Sequence, residues 1–419
     1  MILAKYAGPS QDQWWTFSSP TFARTTLMMN PIIVRFTLSL FCLGLTSAWG
    51  LAQEPAIKKP AAQAKPNAGP RSIPTGSPFS TDLVESAENL TRVDPSVPPT
   101  VKLTFEGRKY VGQPLAWDGK QLAMLRLDGE LKFFPLKDRK GIEVVAPSFE
   151  PYVPSELKKR LKREFGSRYD ISTTKNCVVV HPWGEPDYWA EPFEKMIQRF
   201  EAYFDKRKFE LKESQFPFIV IVLRSRRDFD RYMHNEINLH NGNVAGFYSR
   251  VSNRMVTYDP SGFVRKPEQK SWLLTSRTMF HESAHQLAFN RGVHNRYSPP
   301  PLWLSEGLAM LFETGGTNSL RLQTLRKHYK QRKVTGQVSK LLVDDKLFKT
   351  DPELAYSIAW GMANYLSVKN PKGFLAFLKQ DSQRKDFHIN PPPHRLKLFA
   401  NHFGNDIDQF EANMRLHYR

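Results

Sequence analysis

The alternation of hydrophobic and polar residues between positions 101 and 145 predicts a small antiparallel β-unit. Short alternating runs occupy residues 101–105, 121–127 and 131–136. Turn-forming pairs separate these runs: Glu106-Gly107, Asp118-Gly119 and Asp128-Gly129. Period-two runs with short polar turns are typical of hairpins. We therefore expect an all-β unit over residues 99–147, of a size that suits an SH3-like barrel.

The pattern changes near residue 150 and predicts helices mixed with buried strands. Residues 155–165 form a basic segment with Leu157 and Leu161 one helical turn apart, and residues 176–181 suit a strand. A long helix is expected over residues 188–206. Four residues of this helix should be buried: Phe193, Ile197, Phe200 and Phe204.

The next apolar run is the strongest strand prediction in the chain. Residues 216–223 read FPFIVIVL, an unbroken and β-branched run that indicates a buried central strand. Residues 244–250 and 254–258 suit a hairpin at the sheet edge, and from Trp272 onward the pattern is mainly helical. We therefore predict an α+β domain over residues 150–419, with a mixed sheet followed by a mainly helical part.

The N-terminal region has the composition of an export signal and a tether. With a start at Met28 or Met29, residues 1–52 end in an uncharged apolar run and small residues, which is typical of a secretory signal peptide. An uncleaved membrane anchor is the alternative, although the run is short for a span. Residues 53–98 are rich in Pro and Ala and are expected to be a disordered linker.

Charge and cysteine content restrict the surface properties and the disulfide content of the protein. The chain has 60 Lys+Arg against 41 Asp+Glu, a formal net charge of +19, so its surface should attract anions. It has only 2 cysteines in 419 residues, which excludes a disulfide scaffold. Because Cys42 lies in the export signal, Cys177 would be alone in the exported protein.

A metal-binding pattern lies in the first C-terminal helix. The pattern His-Glu-x-x-His occurs at His281, Glu282 and His285, between a cap candidate at Ser271 and a helix stop at Gly292. Residues four apart share a helix face, so both imidazoles can ligate one tetrahedral zinc ion. Glu282 is then placed to take a proton from a bound water. The alternative is two unrelated histidines on a helix.

A second acidic segment supplies a candidate third ligand. Residues 302–313 suit a short apolar helix with Glu306 and Glu313. Twenty residues separate His285 from Glu306, enough for the chain to finish one helix, turn and return beside it. A catalytic zinc site with two histidines needs one more protein ligand, and we assign Glu306. Glu313 is expected to be an exposed structural carboxylate, with a supporting contact to the site as the alternative.

These two motifs together resemble a known group of enzymes. His281-Glu282-x-x-His285 followed by Trp303-Leu304-Ser305-Glu306-Gly307-x-Ala309 resembles the gluzincin metallopeptidases. Within that group the chain is distantly similar to aminopeptidase N-like and thermolysin-like enzymes. It is more similar to the bacterial peptidase-MA-like domain first catalogued as a domain of unknown function. The likeness covers about residues 150–419 and includes Gly246-Phe247-Tyr248 and Tyr356-Ser357-Ile358-Ala359-Trp360.

The resemblance implies a zincin-like fold and a zinc-dependent hydrolysis of peptide bonds. It implies zinc ligation by His281, His285 and Glu306, with Glu282 as general base. A downstream Tyr stabilises the oxyanion in aminopeptidase-like gluzincins, and Tyr356 is the candidate here, with a core position as the alternative. Ser305 replaces the Asn of the aminopeptidases, and their Gly-x-Met-Glu-Asn strand is missing. Cleavage of N-terminal residues is therefore not implied.

Two functions remain open at this stage. The first is an exported zinc metallopeptidase that holds a peptide or protein substrate against the strands at 244–250 and 255–258. The second is a non-catalytic or latent peptidase-like module of a basic protein that binds an anionic cell-envelope polymer. No nucleic-acid partner is expected, because no reader motif is present, and a membrane partner only if the signal is uncleaved. The other candidate histidines are expected at the surface: His294, His328, His388 and His394.

Overall fold

The computed structural model describes most of the chain beyond residue 98. The described ranges are 99–117, 121–135, 141–182, 186–237, 244–259, 269–313, 320–330, 336–387 and 390–419. The predicted export signal (1–52) and linker (53–98) lie outside them. Within the described residues the chain is an α+β protein with twelve helices and two five-stranded sheets.

The first sheet is antiparallel and corresponds to the β-unit predicted from the sequence. Its strands are β1 (Thr100–Phe105), β2 (Arg108–Trp117), β3 (Gln121–Arg126), β4 (Leu131–Pro135) and β5 (Ile142–Ala146). Their spatial order is β4-β3-β2-β1-β5. Both Glu106 and Gly107 have positive φ, 49° and 72°, which suits the tight turn of the β1–β2 hairpin. The turn predicted at Asp118-Gly119 lies outside the described residues.

The second sheet is mixed and has the predicted apolar strand at its centre. Its strands are β6 (Tyr169–Thr173), β7 (Cys177–Pro182), β8 (Phe218–Leu223), β9 (Gly246–Ser249) and β10 (Arg254–Tyr258). Their order is β6-β7-β8-β10-β9, so β8 is the third of five strands and β9 is an edge strand. β8 runs parallel to β7 and β10, and all six of its residues are buried. A strand buried on both faces explains the unbroken apolar run.

Helices cover both faces of the second sheet. α1 (Pro154–Phe165) and α3 (Arg226–Ile237) pack on one face, and α2 (Pro186–Asp205) and α4 (Gln269–Asn290) pack on the other. Successive strand residues alternate between the two hydrophobic cores, as Val178 and Val179 do. The four aromatic and aliphatic residues predicted for the interior of α2 are all buried. α4 therefore lies against the sheet beside the β9 edge.

The remainder of the described chain is helical. It comprises α5 (Leu302–Met310), α6 (Leu320–Lys330), α7 (Gln337–Val343), α8 (Leu347–Thr350), α9 (Pro352–Lys369), α10 (Pro371–Ser382), α11 (Pro392–Phe403) and α12 (Ile407–Tyr418). α5 packs closely along α9, because Gly307 faces Ala359 and Ala363 without a side chain between them. Among the described helices, none is both long and apolar enough to cross a membrane.

Candidate metal centre

Helix α4 carries the His-Glu-x-x-His pattern, as the sequence predicts. The helix begins at Gln269, two residues before the predicted cap, and ends at Asn290. Gly292 follows in a left-handed conformation with φ +76°, which suits the expected helix stop. His281 and His285 face the same side of the helix, and their ring centroids are 4.8 Å apart.

Helix α5 brings Glu306 to these histidines. One carboxylate oxygen of Glu306 lies 3.1 Å from Nε2 of His281, and the other lies 3.4 Å from Nε2 of His285. The two histidine Nε2 atoms are 3.2 Å apart. Glu306 reaches this position because α5 follows the turn after α4 and packs against it.

These three side chains bring one ligand atom each to within 4.8 Å of one another, with Glu306 facing each histidine through a different carboxylate oxygen. Zinc bonds to N and O ligands of about 2.0–2.1 Å imply ligand atoms about 3.3–3.4 Å apart along a tetrahedral edge. The separation of the two imidazole nitrogens, 3.2 Å, is close to that value, and the nearest Glu306 oxygens lie 3.1 and 3.4 Å from them. Two imidazole nitrogens and one carboxylate also form the donor set of a catalytic zinc site with one position open. The group could therefore hold a metal ion.

Glu313 is part of this site, and the prediction that it is exposed was wrong. Its side chain is only 8% exposed, and one carboxylate oxygen lies 2.8 Å from Nδ1 of His281. Arg277 donates from Nε to the other oxygen at 2.8 Å, and Arg321 donates to the same oxygen. Two guanidinium groups offset the cost of burying the carboxylate. Its contact with Nδ1 leaves Nε2 of His281 directed at the other ligand atoms.

The electrostatics of the cluster favour a bound cation. Burial lowers the pKa of His281, but the hydrogen bonds to Glu306 and Glu313 outweigh burial and raise that pKa to about 10. Burial raises the pKa of Glu306, but the charge of His285 and the hydrogen bonds from His281 and His285 hold it well below its usual value. The carboxylate of Glu306 thus stays ionised next to a positive charge. A metal ion supplies that charge when it replaces the proton on Nε2 of His281.

Glu282 lies beside the ligand cluster and is held by the sheet edge. The backbone N–H of Tyr248, in β9, donates to a Glu282 carboxylate oxygen at 3.0 Å. The strand approaches closely because Gly246 has no side chain; a Cβ there would lie 2.7 Å from Thr278 and 3.3 Å from Glu282. Burial raises the pKa of Glu282, although the charges of His281 and His285 act in the opposite direction.

The remaining sequence candidates have mixed outcomes. Tyr356 lies in the first turns of α9, where its ring packs edge-on against Phe348 with centroids 5.2 Å apart. His294 was expected at the surface but is 2% exposed, so that prediction was wrong. His394 is exposed, as expected, whereas His328 is partly buried. His388 lies outside the described residues.

Comparison with known proteins finds a family model that matches part of the chain. Residues 275–388 match a family model described as "Protein of unknown function (DUF1570)". The matched segment contains all three candidate ligands, Glu282 and Glu313. No curated protein matches the chain.

Proposed function

We propose that the protein is an exported zinc-dependent metallopeptidase with a zincin-like, gluzincin-type catalytic domain at residues 150–419. The observation that carries the proposal is the convergence of His281, His285 and Glu306 at 3.1–3.4 Å. We also propose an SH3-like class for the β-unit. Export rests on the sequence of residues 28–52.

The proposed metal supplies Lewis acidity. Zinc held by two neutral imidazoles and one carboxylate would retain positive charge and would therefore supply Lewis acidity toward water and a substrate carbonyl. His281, His285 and Glu306 would hold it, and Glu313 would fix the ring of His281 through Nδ1.

Glu282 is the proposed general base. Its carboxylate is beside the ligand cluster but is not one of the three converging ligands, so it can accept a proton from the attacking water. Burial raises its pKa toward the working range of a base at neutral pH. The same carboxyl group then delivers the proton to the leaving amine. The Tyr248 N–H orients the carboxylate by its hydrogen bond of 3.0 Å.

Strand β9 and Tyr356 complete the proposed site. β9 is the edge strand beside α4, so an extended peptide could pair with it by main-chain hydrogen bonds. Tyr356 is proposed to donate a hydrogen bond to the oxyanion. A Tyr356→Phe variant that retains zinc but loses most of its turnover would support that role.

The test is metal content and proteolysis on the same samples of full-length protein. We expect one zinc per chain by mass spectrometry and chelator-sensitive cleavage of casein. His285→Ala should lose both zinc and cleavage. Glu282→Gln should keep zinc and lose cleavage by about 10²-fold or more. Cleavage that survives Glu282→Gln or complete zinc removal would contradict the proposal.

A second function has one supporting observation. Helix α1 exposes five basic side chains on its outer surface: Lys158, Lys159, Arg160, Lys162 and Arg163. Such a helix suits a module that binds an anionic envelope polymer without catalysis. Salt-sensitive binding to such a polymer by a protein that carries no zinc and cleaves nothing would favour this alternative.

A further inference from the structure

Arg250 follows the strand whose main chain holds Glu282, and it has no acidic partner among the described residues. It directly follows β9, two residues after the Tyr248 amide that donates to Glu282. Its half-buried guanidinium donates one hydrogen bond within those residues, from Nη1 to the carbonyl of Arg296 at 3.3 Å. A guanidinium has five N–H donors, so four of them have no acceptor among the described residues.

This arrangement resembles that of Arg296, which within the described part of the chain also donates only to carbonyls, and differs from that of three other partly buried arginines. Each of the following donates to a carboxylate: Arg254 to Glu164, Arg384 to Asp381, and Arg395 to Asp345. Burial of a guanidinium without a counter-charge costs free energy. Burial lowers the pKa of Arg250, and the nearby charge of Arg296 acts in the same direction, while Tyr248 opposes it. A carboxylate from outside the chain would relieve this cost.

The ring of Phe289 links Arg250 to the metal-binding helix. The Arg250 guanidinium carbon is 5.9 Å from the ring centroid of Phe289, and Tyr248 stacks on the same ring at 5.8 Å. Phe289 is four residues after His285, or about 6 Å along the helix axis. An extended peptide rises about 3.3 Å per residue. Arg250 is therefore within reach of a substrate group one to three residues from a bond at the metal.

His294 adds a polar group to the same place. Its ring is 5.3 Å from that of Phe289, and neither of its nitrogens is hydrogen-bonded within the described structure. Burial, with the nearby charges of His285 and Arg384, lowers the pKa of His294 to about 3, so the ring is neutral. A neutral imidazole adds no second charge that would compete with Arg250.

We propose that Arg250 binds a carboxylate of the substrate, one to three residues from the cleaved peptide bond. The planar guanidinium can donate two parallel hydrogen bonds to a carboxylate. An amide in the place of the carboxylate lacks the negative charge that strengthens this pairing. The proposal deepens the proposed peptidase function and rests on it for the position of the scissile bond. The carboxylate can be an Asp or Glu side chain or a peptide C-terminus.

The test measures binding on zinc-loaded full-length Glu282→Gln protein, so that cleavage does not interfere. The probes are fluorescein-labelled Ala/Leu decapeptides with one Glu, or one Gln in its place, at each position in turn. Each is made with a C-terminal acid and with a C-terminal amide. We expect the Glu or the acid form to bind about tenfold or more tightly at one position. The Glu/Gln series reports a side-chain carboxylate, and the acid/amide series reports a terminal one.

Variants then assign the preference to Arg250. Arg250→Met should reduce the ratio of the affinities for the acidic and the neutral peptide to about one. Arg250→Lys should keep part of that ratio. Arg231→Met is the matched control, because that exposed arginine lies on α3 and should leave the preference unchanged. Zinc content and thermal unfolding check that each variant folds. If Arg250→Met does not fold, Arg250→Gln replaces it.

Two results would overturn the proposal: equal or absent binding of the acidic and neutral peptides, or a preference that survives loss of the Arg250 charge. Failure of the peptidase function is a separate result. It would be observed if zinc-loaded protein that keeps Glu282 bound the acidic peptides preferentially but cleaved none of them.

Discussion

Glu313 sets the orientation of His281 and should therefore influence metal affinity. In Glu313→Gln the amide keeps the size of the side chain but loses the charge that Nδ1 of His281, Arg277 and Arg321 share. Partners of this kind typically contribute 10–100-fold in metal affinity. We expect zinc binding to weaken by about that factor, measured by competition with a chromophoric chelator.

The control for Glu313 is a carboxylate of similar burial away from the site. Glu411 is buried and accepts backbone hydrogen bonds at the start of α7, so Glu411→Gln perturbs the fold without touching the metal ligands. Zinc affinity should be unchanged in that variant. An equal loss of affinity in both variants would show that general destabilisation, and not the contact with His281, is responsible.

At the scale of elements, the approach of α5 to α9 places Glu306. A Cβ on Gly307 would lie 2.5 Å from the carbonyl oxygen of Ala359 and 2.9 Å from Cβ of Ala363. Ala normally stabilises a helix interior by about 1 kcal/mol relative to Gly. We expect the opposite sign for Gly307→Ala, a loss of about 1–3 kcal/mol in the free energy of unfolding, because backbone must move. Urea unfolding measures this loss of stability, and the Gly307→Ala variant should also bind zinc more weakly.

Gly361→Ala, in α9, is the matched control for Gly307→Ala. Its Cβ would meet Cδ2 of Leu325 at 2.8 Å, the end of a flexible side chain that can rotate away. The loss in the free energy of unfolding should therefore be smaller for Gly361→Ala than for Gly307→Ala. If Gly307→Ala proves as stable as Gly361→Ala or more stable, the close packing of α5 on α9 does not constrain Glu306.

Elements marked by an unbroken apolar run or by helix start and stop signals could be predicted from the sequence, whereas contacts between distant segments could not. β8 and α4 follow from local pattern, and the spacing of Glu306 from His285 was enough to nominate the third ligand. α3 was not predicted, because it is mostly polar and buries few side chains, Phe229 and Met233 among them. The burial of Glu313 depends on Arg277 and Arg321, which come from two other helices, so no local pattern indicates it.

The backbone hydrogen bond from Tyr248 to Glu282 could not be predicted from the sequence either. The N–H of Tyr248 is supplied by the main chain, which any residue at that position would provide. The only sequence signal was indirect: Gly246, at the start of a predicted edge strand, permits close approach to another element. His294 was misplaced because polar neighbours in sequence do not report the Phe289 ring that covers it.

At the scale of the whole molecule, the β-unit supports the loop that leads out of β9. The N–H of Leu131, in β4, donates to the carbonyl of Val251 at 2.7 Å. Arg296 donates to the carbonyls of Gly129, at 2.6 Å, and Arg250, at 2.7 Å. The β-unit, the β9–β10 loop and the segment after α4 are therefore joined through one buried guanidinium.

Arg296→Met tests whether this junction stabilises strand β9. Loss of a buried charged donor that serves several carbonyls should cost about 2–4 kcal/mol in the free energy of unfolding. Hydrogen exchange should accelerate at the amides of Leu131 and Tyr248 before global unfolding. Arg231→Met removes only an exposed ion pair, so its stability should change by less than about 1 kcal/mol. If Arg296→Met leaves exchange at Tyr248 unchanged while Leu131 exchanges faster, the β-unit is anchored by Arg296 but does not stabilise the strand that holds Glu282.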